Sequence, residues 1–462
     1  MHGRTPARAF VLALAALLAA AGVGPVPARA QSADRDVTVT VYNSNLALVK
    51  DVRTLDLGTG RKTIRVTDVS AQIDPTSVHL TPQGSAALSV LEQNFQYDVV
   101  SADRVLERYK DRELNVLGKD GRTTTGRLLS FDGANLVLDR NPGVAIVNRA
   151  EIKEIQFPEL PGGLITRPTL VWFVDNAGAA QRQAQISYLT TGLSWHAEYV
   201  AVIASDDRAL SWAGWVSLEN TSGTDYPEAK LKLVAGDVNR LPAPAPYAMK
   251  GRVLETAAQA NDASQFQEQT FFEYHLYSLS RPTTLADKET KQLALFPTAA
   301  VTAQKLFTYD RMRHPTKVRV SMEFKNSAST GLGMPLPMGK VRVYKEDKSG
   351  AQEFVGEDQI GHTAKDETVR MTIGDAFDVV GEYRQVSTRR ISEREVETSH
   401  EIKIRNRKTE KVTVKIVERQ WGDWRVTDSS QTHVKKDATT LEFTVDLAPG
   451  EEKVVTYTVR TR

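Results

Sequence analysis

Two groups of side chains in this sequence have types and spacing that suit chemistry. The first is a histidine between two acidic doublets: Glu357-Asp358 and Asp366-Glu367 bracket His362 in FVGEDQIGHTAKDETV. Paired carboxylates beside an imidazole suit glycosidic hydrolysis or the binding of a hard cation. The EF-hand pattern is absent, however, and acidic residues in hairpin turns ordinarily face water. The sequence holds 8 histidines, and no two have the spacing of a zinc motif such as H-E-x-x-H. His196 sits among Trp195, Tyr199 and Trp212, which reads as a packed or half-exposed sheet residue. There is no G-x-S-x-G elbow, no G-x-G-x-x-G, no P-loop and no cysteine. The sequence names no catalytic residue, no metal ligand and no cofactor, and the balance leans away from an enzyme.

The second group is aromatic and points to contact. Trp172, Trp195, Trp212 and Trp215 lie in alternating runs, where core packing is the default. Trp212 and Trp215 are an odd number of residues apart, so along one regular strand they face opposite ways. Trp215 is the candidate for the surface. Trp421 and Trp424 flank Gly422-Asp423 in RQWGDWRV, expected to form a hairpin tip. Aromatics there can stack on a sugar ring, insert into a partner, or pair across the strands. Candidate binding residues are therefore Trp421, Trp424 and Trp215. Glu357, Asp358, His362, Asp366 and Glu367 form a separate acidic set, expected in turns.

Strands must hold these residues, and the pattern supplies strands almost throughout. VTVTVY (37–42) alternates strictly, and short runs separated by Asn, Gly and Pro turns continue to residue 98. Residues 99–157 read as a separate unit: a short helix from Ser101, then LNVL, TTTGRLLSF, ANLVLD, VAIVN and EIKEIQF. Gly126 falls where a bent strand must pack closely. A Pro- and Gly-rich connector spans 158–168, and the strands resume with TLVWFVDN. They resume where the small unit ends, so residues 31–98 are expected to pack with the sheet after Pro168. Residues 248–270 are Ala- and Gln-rich and read as a mobile loop or a short helix. A last unit spans 317–462. Two devices recur. An apolar-charged-Asn ending closes strands at Asn220, Asn326 and Asn406, and a Leu followed by a tight charged turn occurs at Leu57, Leu285 and Leu447. Such spacing with hardly any helix indicates an all-β chain of tandem, immunoglobulin-like β-sandwiches. The expected units are 31–98, 99–157 as an inserted small five-stranded barrel, 158–316 and 317–462.

The N-terminus carries the marks of export. Arg4 and Arg8 precede an apolar run from Ala9 to Val23, and Ala28-Arg29-Ala30 is a small-x-small cleavage site. Residues 1–30 are thus expected to be a signal peptide, cleaved between Ala30 and Gln31, because the run is shorter than the ~20 residues a membrane span needs. Without the three leader arginines the chain has 56 basic and 57 acidic residues, net −1. No bulk charge draws it to nucleic acid or anionic lipid. A cysteine-free chain has no lipobox and no disulfide, so the expected location is the periplasm or outside the cell, without a transmembrane segment after cleavage.

Residues 99–157 resemble an Sm-like or SH3-like small barrel, the short helix and five strands carrying the likeness. Sm barrels in the cytoplasm bind RNA. Export, and the lack of a basic-aromatic cluster in these loops, speak against a nucleic-acid partner. Further on, PLPMGKVRVYKED, FVGEDQI and IGDAFDVV resemble the C-terminal domain of unknown function of the mucoidy-inhibitor-A-like bacterial family. ISYLTTGLSWHAEY and LSWAGWVSLENTSGTDYPEAKLKLVAGDVN extend the resemblance over roughly 165–462. It implies no catalytic residue. The family name implies a role in capsule or exopolysaccharide control. Members tend to carry a coiled coil near the position of the small unit, and this chain has no heptads there. The expected function is an exported, non-enzymatic protein that binds or scaffolds an envelope protein or polysaccharide. The alternative is a polysaccharide-binding protein or glycan hydrolase.

Overall fold

A computed structural model of the chain describes residues 35–84, 87–97, 101–159, 165–236, 238 and 265–462. The expected signal peptide and its cleavage site lie outside the described residues. Strand makes up 65% and helix 4%, so the molecule is all-β, built from several sheets with no closed barrel among the described residues. No helix among the described residues is long and apolar enough to cross a membrane.

Three sheets share the first core. In the largest, Arg35–Tyr42 lies between Leu46–Asp56, antiparallel, and Tyr226–Ala235, parallel. The strict alternation of VTVTVY turns Val37, Val39 and Val41 inward, as period-two patterning requires. A three-stranded sheet sets Thr169–Asn176 between Gly60–Val66 and Leu88–Gln96. Strands before and after the small unit thus pair directly. The third sheet runs Glu289–Thr302, Ala209–Asn220, Leu193–Ile203, Gly339–Glu346 and Gln352–Ile360. Trp172, Tyr199, Trp212 and Val341 meet Val39 and Leu231 in the core between them.

Sheet membership departs from chain order at the expected boundary between 316 and 317. Gly339–Glu346 lies parallel to Leu193–Ile203, with Tyr199 opposite Val341. Backbones come so close there that a Cβ at Gly339 would stand 2.3 Å from the Ala197 carbonyl oxygen. The second sandwich is a nine-stranded sheet folded on itself, centred on Lys317–Lys325, Gln304–Asp310 and Val412–Arg419. Its own core gathers Tyr309, Ile404, Ile416, Phe443 and Val455. The long strand Thr368–Arg390 serves both cores, giving Val369 and Met371 to the first and Val379 to the second.

The insert has the expected helix, Ala102–Arg108, capped by the Ser101 hydroxyl, and five strands. It corrects the expectation of a barrel. The sheet runs Ile152–Gln156, Glu113–Gly118, Thr123–Phe131, Asn135–Asp139, Val144–Asn148, and its two outer strands do not pair among the described residues. Val105, Leu106 and Tyr109 of the helix segment cover Leu114, Leu128 and Leu138, so the sheet buries its apolar face without closing. Gly126 is where the strands approach closely: a Cβ there would lie 2.8 Å from the Asp139 carbonyl oxygen. Of the stretch 248–270, the described end is not a loop or a helix. Phe266–Phe271 is a strand, because Tyr274–Leu279 folds back to pair with it as a hairpin.

Two of the three Asn endings, Asn220 and Asn406, bind the Leu turns at Leu285 and Leu447, whereas Asn326 binds the carbonyls of Met334 and Ala364. The Asn406 amide donates to the carbonyls of Glu410, Leu447 and Ala448, and its oxygen accepts from Lys408 N. Asn220 does the same with Thr224, Leu285 and Ala286. Asn176, closing VDN, holds Gly58 beside Leu57. A buried amide that satisfies turn carbonyls explains why each strand ends on Asn.

Candidate functional site

Trp215 stands on the outer face of the five-stranded sheet, 39% exposed, while Trp212 points into the core. Trp212 stacks on Tyr199 at 4.9 Å and meets Phe324 edge-on at 5.0 Å. Opposite Trp215 across the ladder is Glu198. Its carboxylate accepts from Arg342 Nη1 at 3.3 Å and from Gln292 Nε2 at 3.3 Å, and lies 3.4 Å from His196 Nε2. Arg342 faces Glu357 on the next strand, and Lys340 reaches Glu357 at 3.8 Å. A band of Trp215, Glu198, Arg342 and Glu357 therefore crosses four strands on one solvent-facing surface. An aromatic face flanked by forked donors and a carboxylate can hold a polar ligand or a partner side chain.

The acidic set is dispersed. Glu357 and Asp358 belong to the strand Gln352–Ile360 and not to a turn, which corrects that expectation. Consecutive strand residues point to opposite faces, so the doublet cannot act together. The Asp358 carboxylate accepts from Gln359 N at 2.9 Å and Thr372 N at 2.6 Å, tying this strand to the long one. His362 Nδ1 accepts from Met338 N at 3.1 Å. Asp366 takes a left-handed turn at φ 63° and Glu367 is exposed beside it. No group of three or more His, Asp or Glu that could hold a metal ion occurs among the described residues.

The tryptophan pair separates as well. Trp421 is 60% exposed, whereas Trp424 is 3% exposed and belongs to the second core. That removes Trp424 as a surface anchor. It opens the strand Trp424–Ser429, donates Nε1–H to the Ala438 carbonyl at 2.6 Å, and carries Lys435 Nζ 4.0 Å from its ring centre.

A buried titratable network lies inside the second sandwich. Glu418, 0% exposed, accepts from Arg311 Nε and from the Tyr457 hydroxyl, each at 2.8 Å. Arg311 lies 4.1 Å from the centre of the Tyr383 ring, the Tyr383 hydroxyl meets His400 Nδ1 at 2.8 Å, and His400 stacks on Tyr457. Burial raises the Glu418 carboxyl, with Arg311 opposing, while burial and then Arg311 push the His400 imidazole down to about 4. These groups carry catalytic types, yet Glu418, His400 and Tyr457 are buried, Arg311 and Tyr383 are half-buried, and the set bonds one another.

Sequence reasoning did not find Glu198 or Arg342. Their signal is the polar position in LSWHAEYV and GKVRVYKE, which marks a solvent face but not which strands adjoin. No family model matches the chain, and no curated protein matches it.

Proposed function

We propose that this chain is an exported, non-enzymatic binding protein of the cell envelope, holding a protein or glycan partner on the outer face of its first sandwich. The observation that carries this is the Trp215–Glu198–Arg342–Glu357 band, which combines an exposed aromatic with aligned donors and acceptors on a rigid sheet. Export is supported by the leader-like residues 1–30 and the cysteine-free composition. The resemblance to the mucoidy-inhibitor-A-like family belongs to the same proposal and rests on the blocks within 165–462. The polysaccharide-binding alternative draws on the same band, since a flat tryptophan beside charged hydrogen-bonding groups suits a sugar ring. Its hydrolase form has less support, because Glu357, Asp358, His362, Asp366 and Glu367 do not converge.

The test is affinity capture of the tagged chain from the native envelope fraction, with retained proteins and glycans both identified. Trp215→Ala is expected to abolish retention of the partner while leaving thermal stability within about 0.5 kcal/mol of wild type, as for other surface substitutions. Unchanged retention by Trp215→Ala would remove this face from the proposal.

A further inference from the structure

The outer surface of the second sandwich carries a concave groove of about 580 Å3, remote in the sheet order from the Trp215 band. Its floor is the central strands Lys317–Lys325, Gln304–Asp310 and Val412–Arg419, flanked by Thr368–Arg390 and Thr440–Leu447. Alternation sends Tyr309, Val414 and Ile416 into the core and leaves Thr308, Lys415 and Arg419 on the groove side. The lining holds eight Lys and Arg against four Asp and Glu. Lys305 and Lys317 are paired with Asp207 and Asp375 just outside the lining, so the local excess is about two positive charges, in a concave site where a field is focused and in a chain whose net charge is close to zero.

Two guanidiniums in the groove have no carboxylate partner among the described residues. Arg319 bonds the His314 ring, and Arg419 Nη1 donates to the Thr440 hydroxyl at 2.7 Å. Most other cations are balanced: Lys415 and Lys436 share Glu442, and Arg370 pairs with Glu323. Ladder register places Arg319, Thr308, Lys415 and Thr444 in one row across four strands. Adjacent strands stand about 4.8 Å apart, so the cations at Arg319 and Lys415 recur at roughly 10 Å along that row. Thr308 lies between them, and Thr444 follows Lys415.

We propose that this groove binds an extended acidic polysaccharide, a polymer of carboxylate-bearing sugars, with Arg319 and Arg419 as forked carboxylate partners. Guanidinium matches carboxylate geometry through two parallel donors, and the interleaved threonines suit sugar hydroxyls. Nucleic acid fits less well. Of the rings in the lining, Phe307 is buried in the core and His314 is bonded to Arg319, so neither offers a free stacking platform.

Calorimetric titration of the full chain with polygalacturonate at low salt tests this, with dextran and single-stranded DNA as comparison polymers. Saturable binding of polygalacturonate that weakens as salt rises, with none to dextran, is expected. Arg319→Ala with Arg419→Ala should weaken it at least tenfold, and Trp215→Ala should leave it unchanged. Lys415→Gln, which removes the charge while Lys436 still pairs with Glu442, provides a second variant and should weaken binding likewise. Absence of polygalacturonate binding at low salt, equal affinity in the folded variants, or tighter binding of single-stranded DNA would overturn the proposal. None of these outcomes bears on the Trp215 face, whose own variant is read separately.

Discussion

At the scale of single residues, chemical type was a poor guide to role because burial reassigns it. Trp421 and Trp424 are three residues apart and differ in exposure by a factor of twenty, 60% against 3%. His400, a side chain that titrates near neutrality in water, is held neutral inside the second core. That has a consequence for stability. The imidazole binds its proton at about 6.5 in the unfolded chain and only at about 4 in the folded one. Between those values the unfolded state holds more protons, so stability contributed by neutral His400 is present above 6.5 and lost as pH falls. Linkage puts the loss between pH 7 and pH 5 at roughly 2 kcal/mol. Glu418, whose carboxyl is raised, works in the opposite sense, since the folded state takes its proton more readily as pH falls. Urea unfolding at the two pH values should therefore show a drop in wild type that is smaller by roughly 2 kcal/mol in His400→Phe. An equal drop in both would mean that His400 is not the acid-sensitive group.

At the scale of elements, the buried asparagines are the most informative feature. Each ends a strand and binds the carbonyls of a turn far along the chain, as Asn406 does with Leu447 and Ala448. Asn406→Ala would leave buried carbonyls without donors, and the expected loss is about 2–4 kcal/mol in urea unfolding. A change under ~0.5 kcal/mol would show that the turn carbonyls find other partners. The insert offers a second element-level test. Gln96 and Thr169 are direct partners on adjacent antiparallel strands, so the chain leaves and re-enters the first sandwich at neighbouring points. The insert also has a core of its own. Replacing residues 97–168 by Asn-Gly, a two-residue hairpin turn, should give a soluble protein with the near-ultraviolet circular dichroism of the buried Trp172, Trp195 and Trp212. Loss of that signal would mean that the insert supports the first core.

At the scale of the whole molecule, the two sandwiches are interwoven rather than strung in series. Gly339–Glu346 sits inside the first sandwich's sheet, and Thr368–Arg390 feeds both cores. A chain ended at residue 316 would lack an interior strand beside Leu193–Ile203 and expose Tyr199 and Trp212. It is expected to be insoluble or to lack a cooperative thermal transition, whereas an independent first domain would melt cooperatively.

The all-β class, the strand positions and the insert's helix followed by five strands were legible in the sequence, because alternation, turn residues and capping are local properties of consecutive residues. The recurring Asn and Leu devices were visible as patterns too, though not as partners. The acidic doublets show the limit in the other direction. Glu357 and Asp358 are adjacent in sequence, yet pleating sends one toward Lys340 and Arg342 and the other to the backbone of Thr372. What only the tertiary structure decided was which strands adjoin: Glu198 beside Arg342, and Arg319 in one row with Lys415. Both juxtapositions depend on parallel pairings between segments distant in the chain. Such pairings are chosen by how whole sheets bury their apolar faces against one another, and no local pattern encodes that choice.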